Sequence, residues 1–291
     1  MRGHLALRCS RLSFALCLYL GGVAVASAAE EEPVLSIGGS LTEIVFGLDQ
    51  AHRLVARDST STWPAEAEAL PDVGYMRALS PEGVLSVDPG LIIAEEGSGP
   101  QETIDILEAA DVRFVIIPET YSASGIVDKI IAVGEALEVP DIAASYAARI
   151  EAELAVAQAQ AAASAKASSA PKRVLFVLST RGGRVMAGGE NTAAEGIIAM
   201  AGGVNAARDF QGYKLMSDEA ITVAAPDVIL MMARDGAHAG DDELFSIPAI
   251  ASTPAGRDRN VIRIPGLLLL GFGPRTPQAI STLSGALYGD G

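Results

Sequence analysis

The loop Val73-Gly-Tyr-Met-Arg-Ala-Leu79 carries the two side chains with the most chemical promise, Tyr75 and Arg77. A phenol ordinarily gives up its proton at about pH 10, and a nearby cation favours the phenolate. A phenolate oxygen is a hard anion suited to ferric iron, and tyrosine is an axial ligand of haem iron in some proteins. The same residues admit a plainer use, with the ring packed under the loop and its hydroxyl bonded to a backbone carbonyl. Residue type alone leaves both uses open.

Other chemistry finds little support. Beyond residue 29 the chain has two histidines, His52 and His238, and no cysteine. Neither histidine has a partner at useful spacing, which argues against zinc and other soft-metal sites. The Gly-rich pieces Arg181-Gly-Gly-Arg184 and Ala187-Gly-Gly189 do not match a phosphate-binding loop. A G-x-S-x-G nucleophile motif is also absent. An exported hydrolase therefore lacks a nucleophile and base, and a metal-ion receptor lacks ligands.

The elements that must position the loop are written twice. Ser80-Pro-Glu-Gly-Val-Leu-Ser-Val-Asp-Pro-Gly-Leu-Ile-Ile93 returns without a gap as Ser217-Asp-Glu-Ala-Ile-Thr-Val-Ala-Ala-Pro-Asp-Val-Ile-Leu230. Two similar α/β halves leave a cleft between them, and a cleft holds a ligand. Strands are predicted at 34–37, 54–56, 91–94 and 114–117, and again at 174–178, 228–231 and 261–264. Helices are predicted from Leu41, over 81–87, 103–110 and 123–137, and at 276–287. Glu43 is read as a first-turn acid at a helix N-terminus. This alternation implies doubly wound, mostly parallel sheets. Between the halves, Asp141 is read as capping an Ala/Glu/Gln-rich stretch without Gly or Pro from Ala143 to Ala165, which is strong helix material. The predicted organisation is 1–29 signal, 30–140 first lobe, 141–170 linking helix and 171–291 second lobe.

Arg2, Arg8 and Arg11 precede an apolar stretch from Leu12 to Val25, and Ala26-Ser27-Ala28 supplies a cleavage pattern. The segment is short for a membrane span. It contains both cysteines, Cys9 and Cys17, and Leu16 before Cys17 disfavours a lipid anchor. An exported protein with no disulfide follows. The apolar fraction of 49% and mean hydropathy of +0.32 are ample for packed cores. Formal charge is −15, and loss of three signal arginines takes it to −18. So acidic a chain is a poor nucleic-acid binder, because phosphate contacts need basic patches.

Several segments resemble the periplasmic haem-binding proteins of ABC importers, the bilobal class whose lobes a long helix joins. They are Ser36-Ile-Gly-Gly-Ser-Leu-Thr-Glu43, Gly74-Tyr-Met-Arg-Ala-Leu-Ser-Pro-Glu-Gly-Val84, Ala187-Gly-Gly-Glu-Asn-Thr-Ala-Ala194, Thr253-Pro-Ala-Gly-Arg257, Leu270-Gly-Phe-Gly273 and Thr276-Pro-Gln-Ala279. The resemblance covers essentially all of the chain after the signal. It implies haem as the transported ligand, the importer's membrane subunits as partner, a periplasmic monomer, a role in iron acquisition and no catalysis. It matches Tyr75 to the iron ligand and Arg77 to its supporting cation. Some members add a second-lobe histidine where this chain reads Ser179-Thr-Arg-Gly-Gly183. Tyrosine-only ligation is then expected, with Arg181 as a haem contact and Arg234 either a second contact or an exposed loop cation. Met76 or the Leu267–Leu270 run would cover the porphyrin faces. Glu82 and Glu219, at matching repeat positions, are the expected docking acids, and first-turn helix stabilisation is compatible with that role. A ferric-siderophore or cobalamin carrier of the same class is the alternative.

Overall fold

The computed structural model describes residues 31–233 and 241–289. The signal-like segment with its cysteines, Arg234 and His238 lie outside the described residues.

Short apolar runs make the first sheet. β1 (Val34–Ile37), β2 (Leu54–Arg57), β3 (Leu91–Glu95) and β4 (Arg113–Ile117) stand in the order β2-β1-β3-β4, all parallel. β1 is buried along its whole length, the mark of a strand covered on both faces. Around the sheet run α1 (Gly39–Gly47), α2 (Pro81–Leu85), α3 (Gln101–Glu108) and α4 (Ala123–Ala136). Ser80 caps α2, its Oγ accepting from the Gly83 amide at 3.1 Å. α1 starts earlier than the sequence implies. Gly38 takes φ 122°, a conformation open to glycine, so the turn is complete before Ser40. Glu43 is therefore not a first-turn acid. It is carried one turn inward and is buried.

The second sheet repeats the order and then extends it. β5 (Arg173–Ser179), β9 (Val228–Ala233) and β10 (Val261–Pro265) pair in parallel in the order β10-β9-β5, matching β4-β3-β1. A two-residue strand, β7 (Val204–Asn205), joins β5 in parallel. β6 (Met186–Gly188) and β8 (Tyr213–Leu215) extend the sheet beyond β5 as antiparallel strands that the sequence did not reveal. Strands of three residues, one of them ending in glycine, carry no readable alternation. α6 (Ala193–Met200) is capped by Thr192, whose Oγ accepts from the Glu195 amide at 3.2 Å. α7 (Asp218–Ala224) is capped by Ser217, accepting from Ala220 at 3.2 Å. The echo of Ser80 and Ser217 thus marks the same capped helix entering the same strand in each half. α8 (Asp241–Ser246), α9 (Pro248–Ala251) and α10 (Pro254–Arg257) precede β10, and α11 (Gly266–Leu270) and α12 (Thr276–Tyr288) follow it.

Between the sheets runs α5 (Pro140–Ala167), 28 residues long. Pro140 opens it, preceded by Val139 as N-cap, so Asp141 lies in the first turn rather than at the cap. At about 1.5 Å per residue it spans roughly 42 Å. Ala143, Ala147, Ile150, Leu154, Ala157 and Ala161 form its buried stripe. Small residues let the neighbouring helices approach closely. A Cβ on Gly134 of α4 would stand 2.0 Å from the Ala143 Cβ. Gly134→Val should therefore cost about 2 kcal/mol through overpacking, read as a lower urea midpoint. One apolar core runs from β1, β3 and α4 through α5 into α6, α12 and β9, and each sheet has a second, smaller core on its outer face.

Candidate ligand cleft

The burial pattern along the 73–79 loop decides which side chains it offers. Met76 and Leu79 sink into the outer core of the first sheet with Leu35, Ile37 and Val84. Tyr75 and Arg77 are turned out, and Tyr75 is 48% exposed. The backbone holds them there. Gly74, at φ 101°, donates to Asp72 Oδ1 at 2.8 Å, and its carbonyl accepts from Ser59 at 2.9 Å. On the other side Gly99 donates to the Met76 carbonyl and accepts from the Leu79 amide, both at 2.9 Å. The loop is thus strapped across the carboxyl ends of β2 and β3. Open α/β sheets bind ligands outside the carboxyl ends of their strands. Tyr75 is not packed beneath the loop, and its hydroxyl makes no hydrogen bond among the described residues.

Arg77 faces two further tyrosines that sequence reasoning passed over. Tyr121 follows β4, and Tyr213 opens β8 in the second half. Burial raises the Tyr213 phenol above its usual range, while the Ala194 amide, the Arg77 charge and the Thr192 hydroxyl pull it down. Burial, then the Glu119 carboxylate, raises Tyr121, and Arg77 again opposes. Arg77 thus lies within electrostatic reach of a tyrosine from each half. Tyr121 itself crosses between them, its ring edge-on to Phe272 at 5.2 Å. Its backbone lies so close to α6 that a Cβ on Gly196 would stand 2.6 Å from the Tyr121 oxygen.

The second half brings its own strand ends to the same crevice. Arg181 lies exposed in a single turn after β5, Arg181–Gly183, where Gly182 and Gly183 have φ 66° and 71°. It makes no contact with Tyr75 among the described residues. Leu267 of α11 closes against the first half, since a Cβ on Gly39 would meet its Cδ1 at 2.6 Å. Of the apolar residues expected over a porphyrin, Met76 and Leu269 are buried in the cores, and Leu267, Leu268 and Leu270 keep partial exposure. Two surface hollows of about 420 and 430 Å³ lie along α5 and α12. Neither is lined by Tyr75 or Arg77, and the strand ends, not these hollows, carry the polar chemistry. No metal-holding cluster of His, Cys, Asp and Glu forms among the described residues.

Below the crevice the halves are joined by charge. Arg275, just before α12, donates from Nε to Glu43 Oε1 at 3.0 Å and lies over the Trp63 ring at 4.6 Å. Burial pushes the Glu43 carboxyl up, and Arg275 pulls it back. Lys129 of α4, whose side chain is fully buried, pairs with Glu119. Lys129 was legible in one respect, because it interrupts the apolar stripe Ile126, Ile130 and Val133 on α4. Glu82 and Glu219 take no part in this buried network, each being exposed in the first turn of its helix. The Glu219 carboxyl is held below its usual range by its own backbone amide and Ser217.

Two α/β lobes spanned by one helix, with a tyrosine-arginine loop at the strand ends, define a two-lobed binding protein with its ligand cleft between the lobes. The chain belongs to the periplasmic binding protein family, whose model matches residues 34–267. It is similar to the solved periplasmic heme-binding protein BhuT in complex with two hemes, at 39% identity and a TM-score of 0.83, covering 88% of this chain and 98% of that one. It is also similar to the uncharacterized ABC transporter substrate-binding lipoprotein YvrC of Bacillus subtilis, 25% identical over 90% of this chain and 81% of the relative. The vitamin B12-binding protein of Yersinia pestis (strain Pestoides F) is 32% identical over only 35% of each chain.

Proposed function

We propose that this protein captures haem between its lobes in the periplasm and delivers it to an ABC importer, without catalytic turnover. The outward Tyr75-Met-Arg77 loop at the strand ends carries the reading. The 39% identity to a heme-binding protein over nearly the whole of both chains supports it. In this reading the Tyr75 phenolate ligates the ferric iron as the sole protein ligand. Arg77 is its supporting cation, and Arg181 meets the haem from the second lobe, with a propionate as its natural partner. Arg234 is proposed as a further contact from beyond β9. The protein acts as a monomer after removal of residues 1–29, with lobes at 30–140 and 171–291 and the linking helix within 141–170. Hemin added to the protein is expected to give a high-spin ferric tyrosinate-type spectrum. A hemin titration with no spectrum beyond that of free hemin sinks the proposal. Cobalamin or siderophore binding that survives loss of Tyr75 would favour the alternative carrier.

Docking is assigned to Glu82 and Glu219, which stand exposed at equivalent places on the two lobes. Paired acids of this kind suit arginines on a membrane partner. The double variant Glu82→Lys and Glu219→Lys should keep the hemin spectrum and thermal stability, since surface changes rarely exceed about 0.5 kcal/mol. It should abolish haem uptake by cells that depend on this protein. Undiminished uptake would remove both acids from the docking face.

A further inference from the structure

The segment from Gly271 to Gly273 in the second lobe covers the most heavily charged buried point of the first. Lys129 Nζ reaches Ser40 Oγ at 3.1 Å and the Gly271 carbonyl at 3.4 Å, besides Glu119. Phe272 meets Tyr121 edge-on, and a Cβ on Gly273 would stand 3.3 Å from that of Ser40. Ser40 Oγ in turn donates to Glu95 Oε2 at 2.7 Å. One ammonium thus faces two carboxylates, from the end of β3 and the loop after β4. The side chains of Lys129 and Glu119 are 0% and 6% exposed.

The carboxylates cannot both be comfortable as anions. Glu119 Oε1 is buried and has no hydrogen-bond partner. A proton on that oxygen would convert it from an orphan acceptor into a donor toward Glu95. Burial raises the Glu119 carboxyl to about 7, opposed by Lys129 and reinforced by Glu95. The other groups around it are Tyr121, whose phenol the Glu119 charge raises, and Glu96, whose carboxylate accepts from the Glu119 amide at 2.9 Å. Beyond them stand Arg77, acting on Tyr121, and the Glu43–Arg275 pair, which feels Lys129.

We propose that Glu119 holds a proton directed at the Glu95 carboxylate, and that this proton favours the joined form of the lobes at the Gly271–Gly273 contact. The linkage follows from burial. The second lobe helps to keep water from Lys129 and Glu119. Parting the lobes admits water, stabilises the Glu119 anion and lowers its proton affinity. The joined form therefore binds the proton more tightly and is favoured below about pH 7, while ionisation above that range favours parting. Each pKa unit separating the two forms changes the joined-to-parted ratio about tenfold across the titration. The inference concerns the lobes themselves and holds whatever ligand the cleft takes.

The test is infrared spectroscopy with small-angle scattering on the ligand-free chain from pH 5.5 to 8.5. The wild type should show a carbonyl band of a protonated buried carboxyl that fades with a midpoint near 7, with a radius of gyration rising over the same range. Glu119→Gln, an isostere of the protonated acid, should lack the band and keep the low-pH radius throughout. A wild type with no such titrating band or with a constant radius overturns the proposal. So does a folded Glu119→Gln variant that keeps the band. Should that variant not fold, a wild-type radius that stays constant while the band fades still overturns the proposal.

Discussion

Tyr75→Phe abolishes the ferric tyrosinate-type bands that hemin is expected to produce with the wild-type chain, and Tyr75→Ala does the same. Phenylalanine keeps the ring and loses only the oxygen, so it isolates ligation from stacking. Stability should hardly change, because the Tyr75 ring is 48% exposed and its hydroxyl bonds to nothing in the described residues. The loop stays in place because its anchors are Met76, Leu79 and the backbone bonds to Ser59 and Gly99. Loss of an outer-shell partner typically weakens metal binding by about 10- to 100-fold. Loss of the ligand itself should exceed about 100-fold. Apolar contact with Leu267, Leu268 and Leu270 can still hold hemin weakly, so residual binding with an altered spectrum agrees with the assignment. An unaltered spectrum in Tyr75→Phe means that another group grips the iron. Tyr213, the phenol that the second lobe turns toward Arg77, would then be the first to replace.

How far the fold could be read depended on element length and burial. The strands at 34–37, 91–95 and 228–233 are mostly apolar runs between turn residues, so their positions were plain. Ser80 and Ser217 marked the echoed helix starts because each cap is a local hydrogen bond three residues long. The strands β6 and β8 were not plain, since pairing with distant strands rather than local pattern creates them. The same distinction runs through the site. Tyr75 and Arg77 stood out because they share one short loop. Tyr121 and Tyr213 are 92 positions apart and are brought near each other only by the fold. Glu43 was misread for the same reason. Its partner Arg275 lies 232 positions away, and the helix-dipole role assigned from its neighbours gave way to a bond that no local window contains.

That distant pair supports the second large effect. Arg275→Met should lower stability by about 3 kcal/mol at pH 7, because it leaves a buried carboxylate without its partner. The side chain of Glu43 is 5% exposed, against 22% for Arg275, so the acid is the group left stranded. The loss should shrink as pH falls. Burial already raises the Glu43 carboxyl in the folded chain, and without Arg275 it must rise further. A group raised in this way contributes stability below its unfolded value of 4.5 and loses it as pH climbs through the folded value. The variant and wild type should therefore differ least near the unfolded value and progressively more as pH climbs through the raised folded value, and adding Glu43→Gln should restore most of the deficit at neutral pH. A deficit equal at pH 5 and pH 7.5 would place the cost in lost packing on Trp63, which lies 4.6 Å from the guanidinium, and not in charge. Since the bond joins α1 of one lobe to the start of α12 in the other, the same variant weakens the junction that must hold the cleft in register. Hemin affinity should fall with stability at pH 7 and recover with it in acid, although neither Glu43 nor Arg275 needs to touch the ligand.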